Sequence, residues 1–257
     1  MVVMLQGSYN ICRMKYKKYK TVKSKIETIE FYSKALDKKM AVTVYVPANY
    51  VDGLSVLYFM HGRSGDENII HALEMQTVAD KMIGEGRMRP MLIVCPRMEN
   101  ALGLNAYGDY FFDEVMPLIE QRYKTTTRFI GGCSAGGYIA LNYALLHPTM
   151  FTRVGGHMPA IDDQLDDEDL HYFGTHDVWE ANNPLSLARQ CSLPAEIAFY
   201  LDAGDEDEGG FYRGCALLAK TLKARGVQVE NHLNKGHHSV QYIKENFEKY
   251  LLFYGIL

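Results

Sequence analysis

Residues 127–147, TRFIGGCSAGGYIALNYALLH, most narrow what this chain can fold into. A short apolar pair, Phe129 and Ile130, runs into Gly131-Gly132-Cys133-Ser134-Ala135-Gly136-Gly137. An apolar helical pattern follows through Ile139, Leu141, Tyr143, Ala144 and Leu145, and His147-Pro148 stops it. Gly132-Cys133-Ser134-Ala135-Gly136 has the form G-x-S-x-G, which between a strand and a helix reads as a nucleophile elbow. The turn is tight, so the serine backbone is strained and its neighbours must be nearly free of side chain. Its hydroxyl then stands above a sheet edge, at the positive end of a helix.

The flanking chain supplies the sheet. Residues 55–60 and 91–95 are short continuous apolar runs, as expected of parallel strands buried on both faces. Residues 151–156, 196–201 and 227–233 are expected to be further strands. Helical periodicity marks 67–83, 109–123, 215–224 and 239–253. Strands that alternate with helices predict an α/β fold with a mostly parallel, doubly wound sheet. Ahead of it, 26–32 and 40–46 alternate apolar and polar residues around a hairpin connection at 36–39, which predicts an antiparallel N-terminal edge. Residues 1–23, with Lys15, Lys17, Lys18 and Lys20, read as a solvated N-terminal segment, and 24–257 as a single domain. The alternation breaks at about 161–183. This insertion is acidic first (Asp162, Asp163, Asp166, Asp167, Glu168, Asp169) and aromatic after (Tyr172, Phe173, Trp179). The acids do not have EF-hand spacing and read as a solvated face. The aromatic half reads as a cap that lines an acyl or aryl pocket.

A serine hydroxyl needs a base, and the base needs an acid to orient it. With the nucleophile on a strand–helix turn, the chain order is serine, acid, histidine. The acid belongs in the loop after strand 196–201, where Asp202, Asp205, Glu206, Asp207 and Glu208 are available. A Gly-x-x-Asp turn from Gly204 favours Asp207, with Asp205 as the alternative. The base belongs after the last strand, where Gly236-His237-His238 stands; His238 is favoured, with His237 as the alternative. The tetrahedral intermediate needs N–H donors, each worth about 3 kcal/mol. Ala135 supplies one, and the loop His61-Gly62-Arg63 after strand 55–60 supplies the other through Arg63, with Gly62 as the alternative. The remaining histidines are expected to be structural, and among them His61 and His157 stand out.

These motifs together resemble the putative esterase family of α/β-hydrolases, which includes esterase D (S-formylglutathione hydrolase), small acetyl and tributyrin esterases, feruloyl esterase domains and the mycobacterial mycolyltransferases. The resemblance runs over about 24–253 and takes in the segment 110–120 before the elbow. It implies an α/β-hydrolase fold, a Ser134–His238–Asp207 triad, an acyl-enzyme, and no metal or organic cofactor. The expected activity is hydrolysis of a carboxylic ester carrying a short acyl, acetylated-sugar or hydroxycinnamoyl group. An acyltransferase using the same triad is the alternative, and a non-catalytic binding module a weaker one. The partner is a small-molecule ester. A net charge of −4 gives no basic surplus for nucleic acid, and no apolar run reaches the ~20 residues of a membrane span. Five scattered cysteines without a C-x-x-C pair, and an N-terminus whose apolar residues precede its charges, predict free thiols and a cytoplasmic location. Oligomeric state is not legible.

Overall fold

The computed structural model describes residues 23–99, 101–165 and 167–255, and all side chains among them except those of 168 and 169. Residues 1–22 of the N-terminal segment read as 1–23 lie outside the described residues, as does Asp166. Eight strands form one sheet: β1 (Lys25–Ser33), β2 (Lys38–Val46), β3 (Ser55–Met60), β4 (Met91–Pro96), β5 (Arg128–Cys133), β6 (Arg153–His157), β7 (Ala198–Gly204) and β8 (Gln228–Asn234). Their order is β1-β2-β4-β3-β5-β6-β7-β8. β3 to β8 run parallel, and β2 is antiparallel to both β1 and β4. The mostly parallel α/β sheet with an antiparallel N-terminal edge is therefore present as expected.

The continuous apolar runs have a simple cause. Val56, Tyr58 and Met60 of β3 face one buried core, while Leu57 and Phe59 face another across the sheet. A strand covered on both faces leaves no polar position in its side-chain alternation. β8 is an edge strand, with only Val229 buried, and reads correspondingly polar.

Two expected helices differ from a single straight rod. Residues 67–83 divide into α1 (Ile69–Ala72) and α2 (Met75–Gly84), with Glu74 left-handed at φ 50 between them. Ile70, Leu73 and Met75 are all buried. At 100° per residue Met75 would point about 140° away from Ile70, and the kink brings it back to the core. Residues 109–123 instead start earlier, as α3 (Ala106–Asp109), pass through π-helical turns at Tyr110–Val115, and end as α4 (Met116–Tyr123). Pro117 has no N–H for the carbonyl four residues back, and the wider π turns accommodate that loss.

After the elbow comes α5 (Ala135–Leu146). The 161–183 stretch holds α6 (Asp167–Phe173) and α7 (His176–Asn182), and α8 (Pro184–Gln190) follows. α9 (Tyr212–Ala224) and α10 (Val240–Tyr254) complete the layers. Trp179 and Phe173 are buried in the same core as β5 and α5, so the aromatic half of the insertion packs inward. Asp162 and Asp163 are exposed. No helix among the described residues is long and apolar enough to cross a membrane. The cysteines among them, Cys95, Cys133, Cys191 and Cys215, are free thiols.

Candidate active site

Because β3, β5, β6, β7 and β8 are parallel neighbours, the loops leaving their carboxyl ends gather along one sheet edge. In register, Cys133 lies beside His157, His157 beside Asp202, and Gly204 beside Asn234. The chain just beyond those residues carries Ser134, the acidic loop and the histidine loop.

Ser134 sits between β5 and α5 at φ 54, ψ −121. A non-glycine residue held there costs about 1–3 kcal/mol. Its N–H donates to His157 O, and its carbonyl accepts from the Tyr138 and Ala160 N–H groups, each at 3.0 Å. A Cβ on Gly136 would run into the Met60 and His61 carbonyl oxygens, and one on Gly132 would come 2.5 Å from Gly136 O. The two motif glycines are therefore required by the close passage of backbone past backbone.

His238 Nε2 lies 2.8 Å from Ser134 Oγ, and its Nδ1 lies 2.8 Å from Asp207 Oδ2. The Asp207 side chain is fully buried, and its other oxygen accepts the Gly209 N–H at 2.9 Å. With Nδ1–H donated to the carboxylate, the Nε2 lone pair faces the serine hydroxyl. Phe211 packs edge-on against the His238 ring, with centroids 5.3 Å apart.

The alternatives lie elsewhere. Asp205 accepts the Gly236 N–H at 3.0 Å. His237 turns outward between Glu208 (2.9 Å) and Glu206 (3.1 Å). Asp202 is buried and bonds His157 Nδ1 at 2.9 Å, Tyr242 OH at 2.7 Å and Tyr250 OH at 2.8 Å. His157 also meets Tyr254 OH at 3.1 Å and stacks on Tyr250. This second Asp–His pair lies wholly inside the core.

Ala135 opens α5, so its amide belongs to the first turn, whose N–H groups have no partner within the helix. The loop after β3 meets the elbow here: a Cβ on Gly62 would lie 3.4 Å from Ser134 Cβ. Burial pushes the Cys133 thiol up to about 12, with the Gly62 amide working against it. His61 anchors this loop. Its Nδ1–H donates to Gly62 O at 2.8 Å, and its Nε2 accepts the Met98 N–H at 2.9 Å. Burial holds its pKa below the ordinary value, which keeps the ring neutral and Nε2 an acceptor.

A cavity of about 660 Å³ opens over Ser134. Tyr172, Phe173 and Trp179 come from the insertion, and Leu102, Tyr138 and Phe211 are among the other apolar side chains that line it. The Arg63 guanidinium lies 5.8 Å from the Tyr172 ring centroid and ties the loop after β3 to α6. Leu102, Tyr138 and Phe211 were not among the expected site residues. Tyr138 had a readable signal, since it is one helical turn after Ser134 on the same face. Leu102 and Phe211 reach the cavity from loops and had none. Among the described residues no group of three or more His, Cys, Asp or Glu is arranged to hold a metal ion.

An acetyl esterase of Caldicellulosiruptor saccharolyticus is 28% identical over 153 residues, which is 50% of this chain and 54% of that protein. The match thus spans about half the length of that relative. A ferulic acid esterase structure superposes with a TM-score of 0.79 at 23% identity, covering 90% of this chain and 98% of the other. An S-formylglutathione hydrolase from Agrobacterium tumefaciens gives 0.76 at 19% identity, covering 90% and 96%. At such identities these structures speak to the fold alone, an α/β-hydrolase fold. The family model described as "Putative esterase" matches residues 33–254, nearly the whole described chain, and the chain belongs to that family.

Proposed function

We propose that this protein is a serine carboxylic ester hydrolase working through Ser134, His238 and Asp207. The observation that carries the reading is the unbroken chain from Asp207 Oδ2 through the His238 ring to Ser134 Oγ, with both contacts at 2.8 Å. His238 takes the Ser134 proton as Oγ attacks the ester carbonyl. Asp207 holds the ring and stabilises the imidazolium. The Ala135 amide and that of Arg63, with Gly62 as the alternative, receive the oxyanion. The alcohol leaves with the His238 proton, and water, activated by the same ring, then hydrolyses the acyl-enzyme. No metal or organic cofactor is needed for these steps.

The apolar, aromatic side of the cavity supports an acyl group that carries a ring, of hydroxycinnamoyl size, over a bare acetyl group. Its volume is in the range of pockets that bury a small organic ligand. The acetyl and ferulic acid esterases among the similar proteins fit the same class of ester.

The test is hydrolysis of p-nitrophenyl acetate, butyrate and octanoate and of methyl ferulate by the wild type and Ser134→Ala. Activity abolished by the substitution, and greater on ferulate than on acetate, is the expected result. Full activity in Ser134→Ala would sink the assignment. Added alcohols that divert most product from free acid to new ester would instead make the protein an acyltransferase.

A further inference from the structure

The acidic loop and the histidine loop are joined by more than the Asp207–His238 contact. Asp205 N–H donates to Asn234 O at 2.8 Å, and Glu206 N–H to Gly236 O at 3.0 Å. Gly236 N–H donates back to Asp205 Oδ1 at 3.0 Å. Glu208 makes the last of these links. Its Oε2 accepts the His238 backbone N–H at 3.1 Å, while its Oε1 takes the His237 ring Nδ1 at 2.9 Å. The His237 Nε2 reaches Glu206 at 3.1 Å. Two adjacent acids thus hold two adjacent histidines in different ways. Asp207 fixes the ring of His238, and Glu208 fixes its backbone.

Building on the triad reading above, we propose that Glu208, braced by His237, is a positioning residue for the catalytic base: its carboxylate holds the His238 backbone so that Nε2 stays within reach of Ser134 Oγ. The ring can rotate only about its side-chain torsions, so Asp207 alone cannot correct a shift of the loop that carries it. Gly236 sits in this loop at φ 140, a backbone conformation that glycine adopts without strain, and its N–H and carbonyl are tied to Asp205 and Glu206. At the other end Ser239 caps α10, accepting the Tyr242 N–H at 3.2 Å. His238 lies between these two points, and the Glu208 carboxylate is the side-chain partner of its amide.

The charges agree with this arrangement. The hydrogen bond that His237 donates to Glu208 raises its pKa above the ordinary value, with Glu206 adding to it. Backbone N–H groups, including that of His238, and then His237 lower the pKa of Glu208. Both side chains are solvated, at 60% and 67% exposure, so the pair adds little to global stability. Geometry is another matter. A misplacement of about 1 Å at a reacting group can cost about 100-fold in rate. A clamp that is weak in the folding balance can therefore be large in kcat.

The test uses Glu208→Ala, Glu208→Gln and His237→Ala in the full chain. Each is assayed for kcat and KM on the best ester, for the rate of Ser134 labelling by a fluorophosphonate, and for Tm. Glu208→Ala is expected to lower kcat and the labelling rate about 5- to 30-fold, with KM within about twofold and Tm within about 2 °C. Glu208→Gln keeps an oxygen for the His238 N–H and should recover most of the loss. His237→Ala, which removes only the brace, should cost about two- to threefold. A Glu208→Ala enzyme with wild-type kcat overturns the proposal. So does Glu208→Gln as impaired as Glu208→Ala, or a loss that follows a fallen Tm. A wild type that neither cleaves esters nor is labelled at Ser134 would instead overturn the hydrolase reading, and the clamp with it.

Discussion

Replacing Asp202 with Asn should cost stability and spare the chemistry, whereas Asp207→Asn should do the reverse. Both aspartates bond a histidine Nδ1, at 2.9 and 2.8 Å, from positions five residues apart. Asp202 accepts from His157, Tyr242 and Tyr250, and an asparagine brings one acceptor oxygen to those donors. With its oxygen kept toward the tyrosines, its NH₂ faces His157. The ring must then move its proton to Nε2, from which it can still donate to Tyr254 OH. The two tyrosine bonds lose their charged acceptor, at about 1 kcal/mol each, and the rearrangement brings the total to about 2–4 kcal/mol. For a chain of this length that is a fall in Tm of about 5–15 °C. Asp207→Asn keeps an oxygen for the Gly209 N–H, so Tm should move by less than about 4 °C. Its NH₂ now faces His238 Nδ1, which must accept, and the proton sits on Nε2 toward Ser134. The base is blocked, and the analogous change in serine proteases costs about 10⁴ in kcat. Thermal unfolding and kcat, normalised to fluorophosphonate-titrated sites, read the two effects separately. An Asp202→Asn enzyme of wild-type Tm with kcat as low as Asp207→Asn would refute the division of labour. So would Asp207→Asn with more than a tenth of wild-type kcat.

Three further outcomes follow from single residues. Burial keeps His61 neutral and its pKa below 6.5. The unfolded chain then binds the extra proton, so stability is complete above about pH 6.5 and should fall with pH below it, by up to about 1.4 kcal/mol per unit; thermal melts between pH 7.5 and 5 should show a slope that His61→Gln reduces. Gly136→Ala would drive a methyl into the Met60 and His61 carbonyls, and should abolish ester hydrolysis and lower Tm by more than about 5 °C. Trp179→Ala opens the aromatic wall, and should raise KM for methyl ferulate at least fivefold while changing that for p-nitrophenyl acetate less than twofold, as read from initial rates.

What the sequence made legible is what tight local geometry dictates. G-x-S-x-G could be read at Ser134 because backbone passes so close to backbone that no side chain fits at Gly132 or Gly136. The buried strands were legible because both their faces are covered. The break at Glu74 was not, because it exists to return Met75 to a core assembled from distant strands. Local reading favoured Asp207 over Asp205 and His238 over His237 without deciding either pair. Neighbouring loop residues differ only in which way they point, and the packing of one loop on another sets that.

The Asp202 cluster shows where such reading stops. In sequence Asp202 is one more acid after a strand, equal to four others. Its role comes from His157, Tyr242 and Tyr250, which lie 40 to 48 residues away. Those partners have a consequence for the site. His157 O holds the Ser134 N–H, and Tyr242 stands in the first turn of the helix that follows His238. One buried carboxylate therefore joins β6, whose His157 carbonyl holds the Ser134 N–H, to the helix that follows His238. Ser134 and His238 are 104 residues apart in the chain, yet their Oγ and Nε2 lie 2.8 Å apart. Asp202 thus ties together the elements beneath both residues, while the Asp207 and loop contacts above hold the Ser134–His238 separation itself, so loss of the Asp202 charge weakens the fold before it moves the site.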